Sequence, residues 1–127
     1  EVQWDFADCP DLAQGMIVAA AALGVKASFT GLQSLRIKET DRIAALQAEL
    51  GKFGIQLMEE SGHWWLEGQF CPVDARIETY QDHRMAMAFA PLAVRVNLLQ
   101  IEDAEVVEKS YPSFWDDLRR IGLEVNP

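Results

Sequence analysis

A unit of loop, helix and strand recurs along this chain, with polar residues gathered at the loop–helix junctions and glycines closing the helices. That recurrence is the strongest constraint on the fold, because each amphipathic helix has to bury its apolar stripe against a neighbouring layer. Val2, Trp4 and Phe6 alternate as a strand. Asp8-Cys9-Pro10-Asp11 then supplies a cap, a first-turn proline and a first-turn acid, a helix start. Leu12, Met16, Ala20 and Leu23 follow at helical spacing, and Gly24 is the stop. Val25, Ala27 and Phe29 predict a strand ending at Gly31. A second helix carries Ile43, Leu46, Leu50 and Phe53 on its apolar face and ends at Gly54. Ile55 and Leu57 open a hairpin that turns at Ser61-Gly62 and returns through Trp64-Trp65-Leu66.

The pattern continues with a strand over Ala75 to Thr79 and a third helix opened by Asp82-His83-Arg84. That helix buries Met85, Phe89, Leu92 and Val96, and Leu99 and Ile101 form the next strand. Pro112 starts a fourth helix with Phe114, Leu118 and Ile121, stopped by Gly122, and Leu123 to Val125 predict a last strand. No linker or composition break divides the 127 residues. The expected class is α+β with α/β-type packing, the helices buried against small sheets in one domain.

A formal net charge of −9 argues against nucleic acid or an anionic membrane as partner, since both demand a basic face. The Ala-rich run from Met16 to Leu23 is too short to span a bilayer, and no signal peptide is visible. Cys9 and Cys71 have no metal-type spacing and read as reduced thiols of a cytoplasmic protein. The chain opens at Glu1-Val2 without a methionine and reads as a piece of something larger.

Against this acidic background several cations stand at or just before helix starts, where each added positive charge costs about 0.3–1 kcal/mol. A small anion bound between them and the free backbone N–H groups explains such a placement. Lys38, Glu39 and Arg42 lie within about one helical turn, with positions 38 and 42 sharing a face. Two cations and one carboxylate can hold an anionic substrate and also move a proton. The plainer alternative is a helix start with surface ion pairs, each worth under about 1 kcal/mol. His83 and Arg84 follow the cap Asp82, the arginine offering a planar fork for carboxylate or phosphate. Lys109 precedes Pro112, and Asp11 sits in a first turn, where an acid also stabilises a helix without any further role. Stacked side by side, these four junctions open on one face and suit a multiply anionic substrate that needs acid–base help.

Arg36-Ile37-Lys38-Glu39-Thr40-Asp41-Arg42, Asp82-His83-Arg84-Met85-Ala86-Met87 and Lys109-Ser110-Tyr111-Pro112 stand in an order and spacing that resembles the 5-enolpyruvylshikimate-3-phosphate (EPSP) synthase family. Pro10-Asp11 before an Ala-rich helix adds a fourth motif. The resemblance covers essentially the whole chain and implies repeated β-α-β-α-β-β units of the enolpyruvyl transferase fold. It implies transfer of the enolpyruvyl group of phosphoenolpyruvate to the 5-hydroxyl of shikimate 3-phosphate, a step of aromatic amino-acid biosynthesis through chorismate, without metal or organic cofactor. Residues 1–127 then correspond to the C-terminal part, about the last third, and the N-terminal domain of the same enzyme is the missing partner. The piece alone is expected to be inactive.

The resemblance also implies roles. Asp11 matches the carboxylate that meets the shikimate hydroxyl and accepts its proton, and Glu39 the acid that protonates the methylene carbon of phosphoenolpyruvate. Lys38 matches a contact to shikimate 3-phosphate, as does Ser34, although many members carry Asn there. Arg42, His83, Arg84 and Lys109 match the groups that hold phosphoenolpyruvate. Two further readings stay open: a transferase of the same fold acting on UDP-N-acetylglucosamine, and a non-catalytic anion-binding module.

Overall fold

The computed structural model describes all residues, Glu1 to Pro127. The strands are β1 (Val2–Asp5), β2 (Ala27–Thr30), β3 (Ile55–Glu60), β4 (His63–Gly68), β5 (Ala75–Ile77) and β6 (Leu99–Ile101). The α-helices are α1 (Ala13–Leu23), α2 (Arg42–Gly51), α3 (His83–Phe89) and α4 (Phe114–Arg120). In chain order the first 68 residues form one β-α-β-α-β-β unit, and the remainder begins a second as β-α-β-α. The four-stranded sheet runs β1-β2-β4-β3, with β1 and β2 parallel across the α1 crossover and β3–β4 an antiparallel hairpin. The β5 and β6 strands pair in parallel across α3 as a second, two-stranded sheet.

Local chemistry explains the element ends. Pro10 begins a 3-10 turn (Pro10–Leu12) that runs into α1, and Gly24 in the left-handed region donates its N–H to the carbonyls of Ala20 and Ala21. Asp41 caps α2 by accepting from the Ala44 N–H, and Asp82 caps α3 by accepting from the Arg84 N–H. The hairpin turns at Ser61 and Gly62, both at positive φ, pairing Glu60 with His63. Gly31 is required by close approach as well as by its φ of 76°: a Cβ there would lie 2.3 Å from the Ala7 nitrogen.

One core joins both units. Phe29, Trp64, Ile17, Leu46, Leu50 and Phe53 from the first meet Ile77, Met85 and Phe89 from the second, each at most 1% exposed. The apolar faces expected on α2 and α3 are the buried ones. The face expected on α1 holds only in its middle, where Ala20 is buried and Met16 half-buried against the core. Leu12 and Leu23 are 56% and 70% exposed, whereas Ala13, Ile17, Val18, Ala20 and Ala21 are buried. Small side chains let α1 lie close against α3, and that contact outweighs the size of the two leucines.

Other expectations shift for physical reasons. Residues 38–41 are a loop between a 3-10 turn (Gln33–Ile37) and α2, with Lys38 extended, so Lys38 and Arg42 share no helical face. The strand expected to reach Thr79 ends at Ile77, because Thr79 opens a turn closed by the Asp82 N–H on its carbonyl, 2.9 Å. Lys109 ends a 3-10 helix (Ala104–Lys109) and does not start α4. Residues 123–125 form no strand: Arg119 Nε donates to the Val125 carbonyl at 3.0 Å, folding the tail back on α4, and Ile121 stays exposed.

A buried carboxylate stitches the two units together. Glu49 on α2 is 1% exposed and accepts from Tyr80 Oη (2.6 Å), Lys52 Nζ (2.6 Å) and the Glu78 N–H (3.1 Å). Lys52 also donates to the Arg76 carbonyl at 2.5 Å. A carboxylate out of water needs such a full set of donors. Burial holds the Tyr80 phenol far above its ordinary value of 10.0, helped by its hydrogen bond to Glu49 and by the charges of Glu49 and Glu78.

Two outcomes follow for stability. Gly31→Ala should destabilise the chain by more than about 2 kcal/mol in urea unfolding, and a smaller effect refutes the required close approach. For Tyr80 the folded state keeps its proton after the unfolded state has lost it. Its contribution is therefore complete below about pH 10 and is lost as pH rises above that value. Tyr80→Phe should flatten the alkaline fall in denaturation midpoint, and an unchanged slope refutes the assignment.

Candidate active site around a buried arginine

The first residue of α2 is the hub. Arg42 is 1% exposed, an unusual place for a guanidinium, and its position is tolerable only because its donors are taken. Nε donates to Asp82 Oδ2 at 2.7 Å and Nη2 to Asp82 Oδ1 at 3.1 Å, a two-pronged pair with a carboxylate that is itself 0% exposed. Nη1 donates to Asp11 Oδ1 at 3.3 Å, and Nη2 also meets Glu39 Oε2. Three carboxylates from three separate junctions thus converge on one cation.

The two outer carboxylates differ from the inner one. The Asp11 and Glu39 side chains are 50% and 49% exposed, so each shows one flank to Arg42 and the other to solvent. Asp11 is also approached by Arg84, whose Nη2 lies 3.6 Å from Oδ2 and whose Nη1 donates to the Asp11 carbonyl at 3.4 Å. Arg84 is positioned by its own N–H, which donates to Asp82 Oδ1 at 2.9 Å. Beside Asp11 and Arg84 opens a cleft of about 210 Å³ between α1 and α3, completed by Leu12, Gln14, Gly15, Met87 and Ala88.

The expected site residues therefore divide into two groups. Asp11, Glu39, Arg42 and Arg84 form one connected cluster. Lys38 and Lys109 are exposed, His83 is half-buried, and none of the three makes a side-chain hydrogen bond or ion pair, which leaves their charge or donors available to a ligand. Ser34 is exposed on the 3-10 turn before Lys38 and is likewise uncommitted. Of the remaining motif charges, Arg36 turns away to Glu59 (3.0 Å) and Asp41 (3.6 Å), clipping the loop onto β3.

Three participants escape inspection of the sequence. Asp82 reads as a cap, yet it is also the main partner of Arg42, 40 positions earlier. Its signal was the junction motif itself, in which an acid precedes two donors. Gln14 is 1% exposed and lines the cleft with neither amide atom hydrogen-bonded, although its position in an Ala-rich helix gives no hint of that. Glu49, buried beside Tyr80, is not set apart in the sequence from the other acids of the chain. No helix is long and apolar enough to cross a membrane.

Comparison with known proteins places the chain in a family. The family model described as EPSP synthase (3-phosphoshikimate 1-carboxyvinyltransferase) matches residues 2–118. A 3-phosphoshikimate 1-carboxyvinyltransferase of Bacteroides fragilis is 52% identical over 127 residues, covering 95% of this chain and 30% of that protein. Proteins of the same name from Methanopyrus kandleri and Syntrophobacter fumaroxidans are 40% and 37% identical, over 98% and 94% of this chain. The chain spans about 30% of the length of the Bacteroides relative and 29% of the other two. With a family match over nearly its full length, the chain belongs to the EPSP synthase family.

Proposed function

We propose that this chain supplies part of the active site of an enzyme that transfers the enolpyruvyl group of phosphoenolpyruvate to the 5-hydroxyl of shikimate 3-phosphate. The observation that carries the reading is the joint hold of Arg42 on Asp11 and Glu39, two half-exposed carboxylates fixed on one buried cation. Transfer needs one group to take a proton from an alcohol and another to give a proton to carbon. Asp11 takes the hydroxyl proton, and the freed oxygen bonds to C2 of the enol. Glu39 gives a proton to the methylene carbon, which becomes a methyl. Loss of the methyl proton and of phosphate from the tetrahedral intermediate restores the double bond, giving EPSP and phosphate.

Cations do the rest of the work in this reading. Arg84, Lys109 and His83 surround the carboxylate and phosphate of phosphoenolpyruvate and stabilise the departing phosphate. Lys38 and Ser34 lie toward shikimate 3-phosphate. A ligand carboxylate on Arg42 competes with Asp11 and Glu39 for the same donors, and so frees the acid and the base as it binds. The remainder of the enzyme completes the site, and closure over the substrates excludes water. The setting is the cytoplasm, in aromatic amino-acid biosynthesis.

The test uses the full-length protein containing this chain and follows phosphate release. Asp11→Asn and Glu39→Gln should each lower turnover by about a hundredfold or more. Arg84→Lys should instead raise the KM for phosphoenolpyruvate by about tenfold with a smaller change in kcat, because lysine cannot reproduce the planar fork. Near-normal constants in all three variants sink the assignments. The 127-residue chain alone should form no EPSP. Measurable product from it refutes the need for the rest of the enzyme.

A further inference from the structure

We propose that Glu49 and Tyr80 are positioning residues: a clamp that sets the corner carrying Asp82, His83 and Arg84 and thereby governs anion binding without touching the ligand. The corner is a tight turn from Thr79 to Asp82, closed by the Asp82 N–H on the Thr79 carbonyl at 2.9 Å. Both central residues, Tyr80 and Gln81, have φ of 57°. Glycine, Asn and Asp are the usual occupants of such paired left-handed positions, so a tyrosine and a glutamine there have to be held from outside.

Three side chains do the holding. Tyr80 Oη donates to Glu49 at 2.6 Å, Thr79 Oγ1 to the Glu102 carbonyl at 3.1 Å, and Gln81 Nε2 to Asp103 Oδ2 at 3.3 Å. Only the first reaches a buried side chain on α2. The same helix grips the corner again through Arg42 on Asp82, seven residues earlier and about 10 Å away along the axis. Two grips from one rigid rod fix both the place and the tilt of the corner, where one grip alone would leave it free to pivot.

The consequence passes along named contacts. Asp82 Oδ1 holds the Arg84 N–H at 2.9 Å, and the Asp82 carbonyl accepts from the Met85 N–H at 3.1 Å, so the first turn of α3 follows Asp82. Arg84 then shifts relative to Asp11, which Arg42 holds independently. A displaced fork loses its aim at a planar carboxylate, whereas the acid and base on Arg42 keep their places.

The kinetic readout rests on the enolpyruvyl-transfer reading, and a second readout does not. In the full-length enzyme, Tyr80→Phe should raise the KM for phosphoenolpyruvate by roughly tenfold. The KM for shikimate 3-phosphate and the saturated turnover should change by less than about twofold. Glu49→Gln keeps an acceptor for the phenol and should give a smaller rise. In an Arg84→Lys background, Tyr80→Phe should add little, because its effect passes through that fork. A purely structural role lowers the amount of folded enzyme and leaves both KM values alone. Hydrogen exchange supplies the independent readout: Tyr80→Phe should speed exchange at the Asp82, Arg84 and Met85 amides by about tenfold and spare the β3–β4 hairpin. Unchanged exchange overturns the clamp, as does an unchanged KM in an enzyme whose wild type turns over. A wild type without turnover rejects the transfer reading alone, and exchange then decides the clamp.

Discussion

The buried pair between Arg42 and Asp82 is the interaction on which the rest depends. Each partner is at most 1% exposed, so neither can be removed without leaving a charge stranded in the interior, a loss of about 3–5 kcal/mol. The pair is also a ruler. Its two-pronged geometry fixes the start of α2 against the start of α3, two elements that the chain separates by 40 positions. Asp82 performs a second task with the same oxygens by capping α3, so helix formation and charge pairing reinforce one another. Once Arg42 is fixed, its outer edge holds both Asp11 and Glu39, which otherwise lie half in solvent, and Arg84 adds a second hold on Asp11.

The repeated architecture explains why these starts meet at all. In a β-α-β crossover the helix begins where the preceding strand ends, so α1 and α2 start at the same end of the parallel pair β1–β2. The second unit places α3 after β5 in the same manner and packs it on α1. Junctions scattered in sequence are thereby delivered to one face. Charge then limits what that face achieves by itself. Asp11, Glu39 and Asp82 outnumber Arg42 and Arg84, leaving the cluster formally negative before any anion arrives. Lys38 and Lys109, which pair with no carboxylate, are the uncommitted positive charges of the expected site, and the Bacteroides relative carries more than twice as much chain again beyond the matched part.

How much of this was legible in the sequence depends on the range of the interaction concerned. Caps, glycine stops and hairpin turns are local, and Asp41, Asp82, Gly24 and Ser61-Gly62 act as their residue types dictate. The buried faces of α2 and α3 were equally readable, since large apolar residues recur there at helical period. At the two ends of α1 the large Leu12 and Leu23 face outward while the neighbouring alanines face inward. Packing density, not side-chain size, decided which surface α1 turned inward. Spacing failed for a different reason at Lys38 and Arg42, where four residues imply a shared face only if the chain between them is helical. Burial of Arg42 had no sequence signal of its own. A guanidinium a third of the way along an acidic chain looks like surface until Asp11 and Asp82 are brought in from distant junctions to join Glu39 on it. Motif order singles out Asp11, Glu39 and Arg42 without relating them, and only the fold shows that Arg42 stands inside the protein holding the other two.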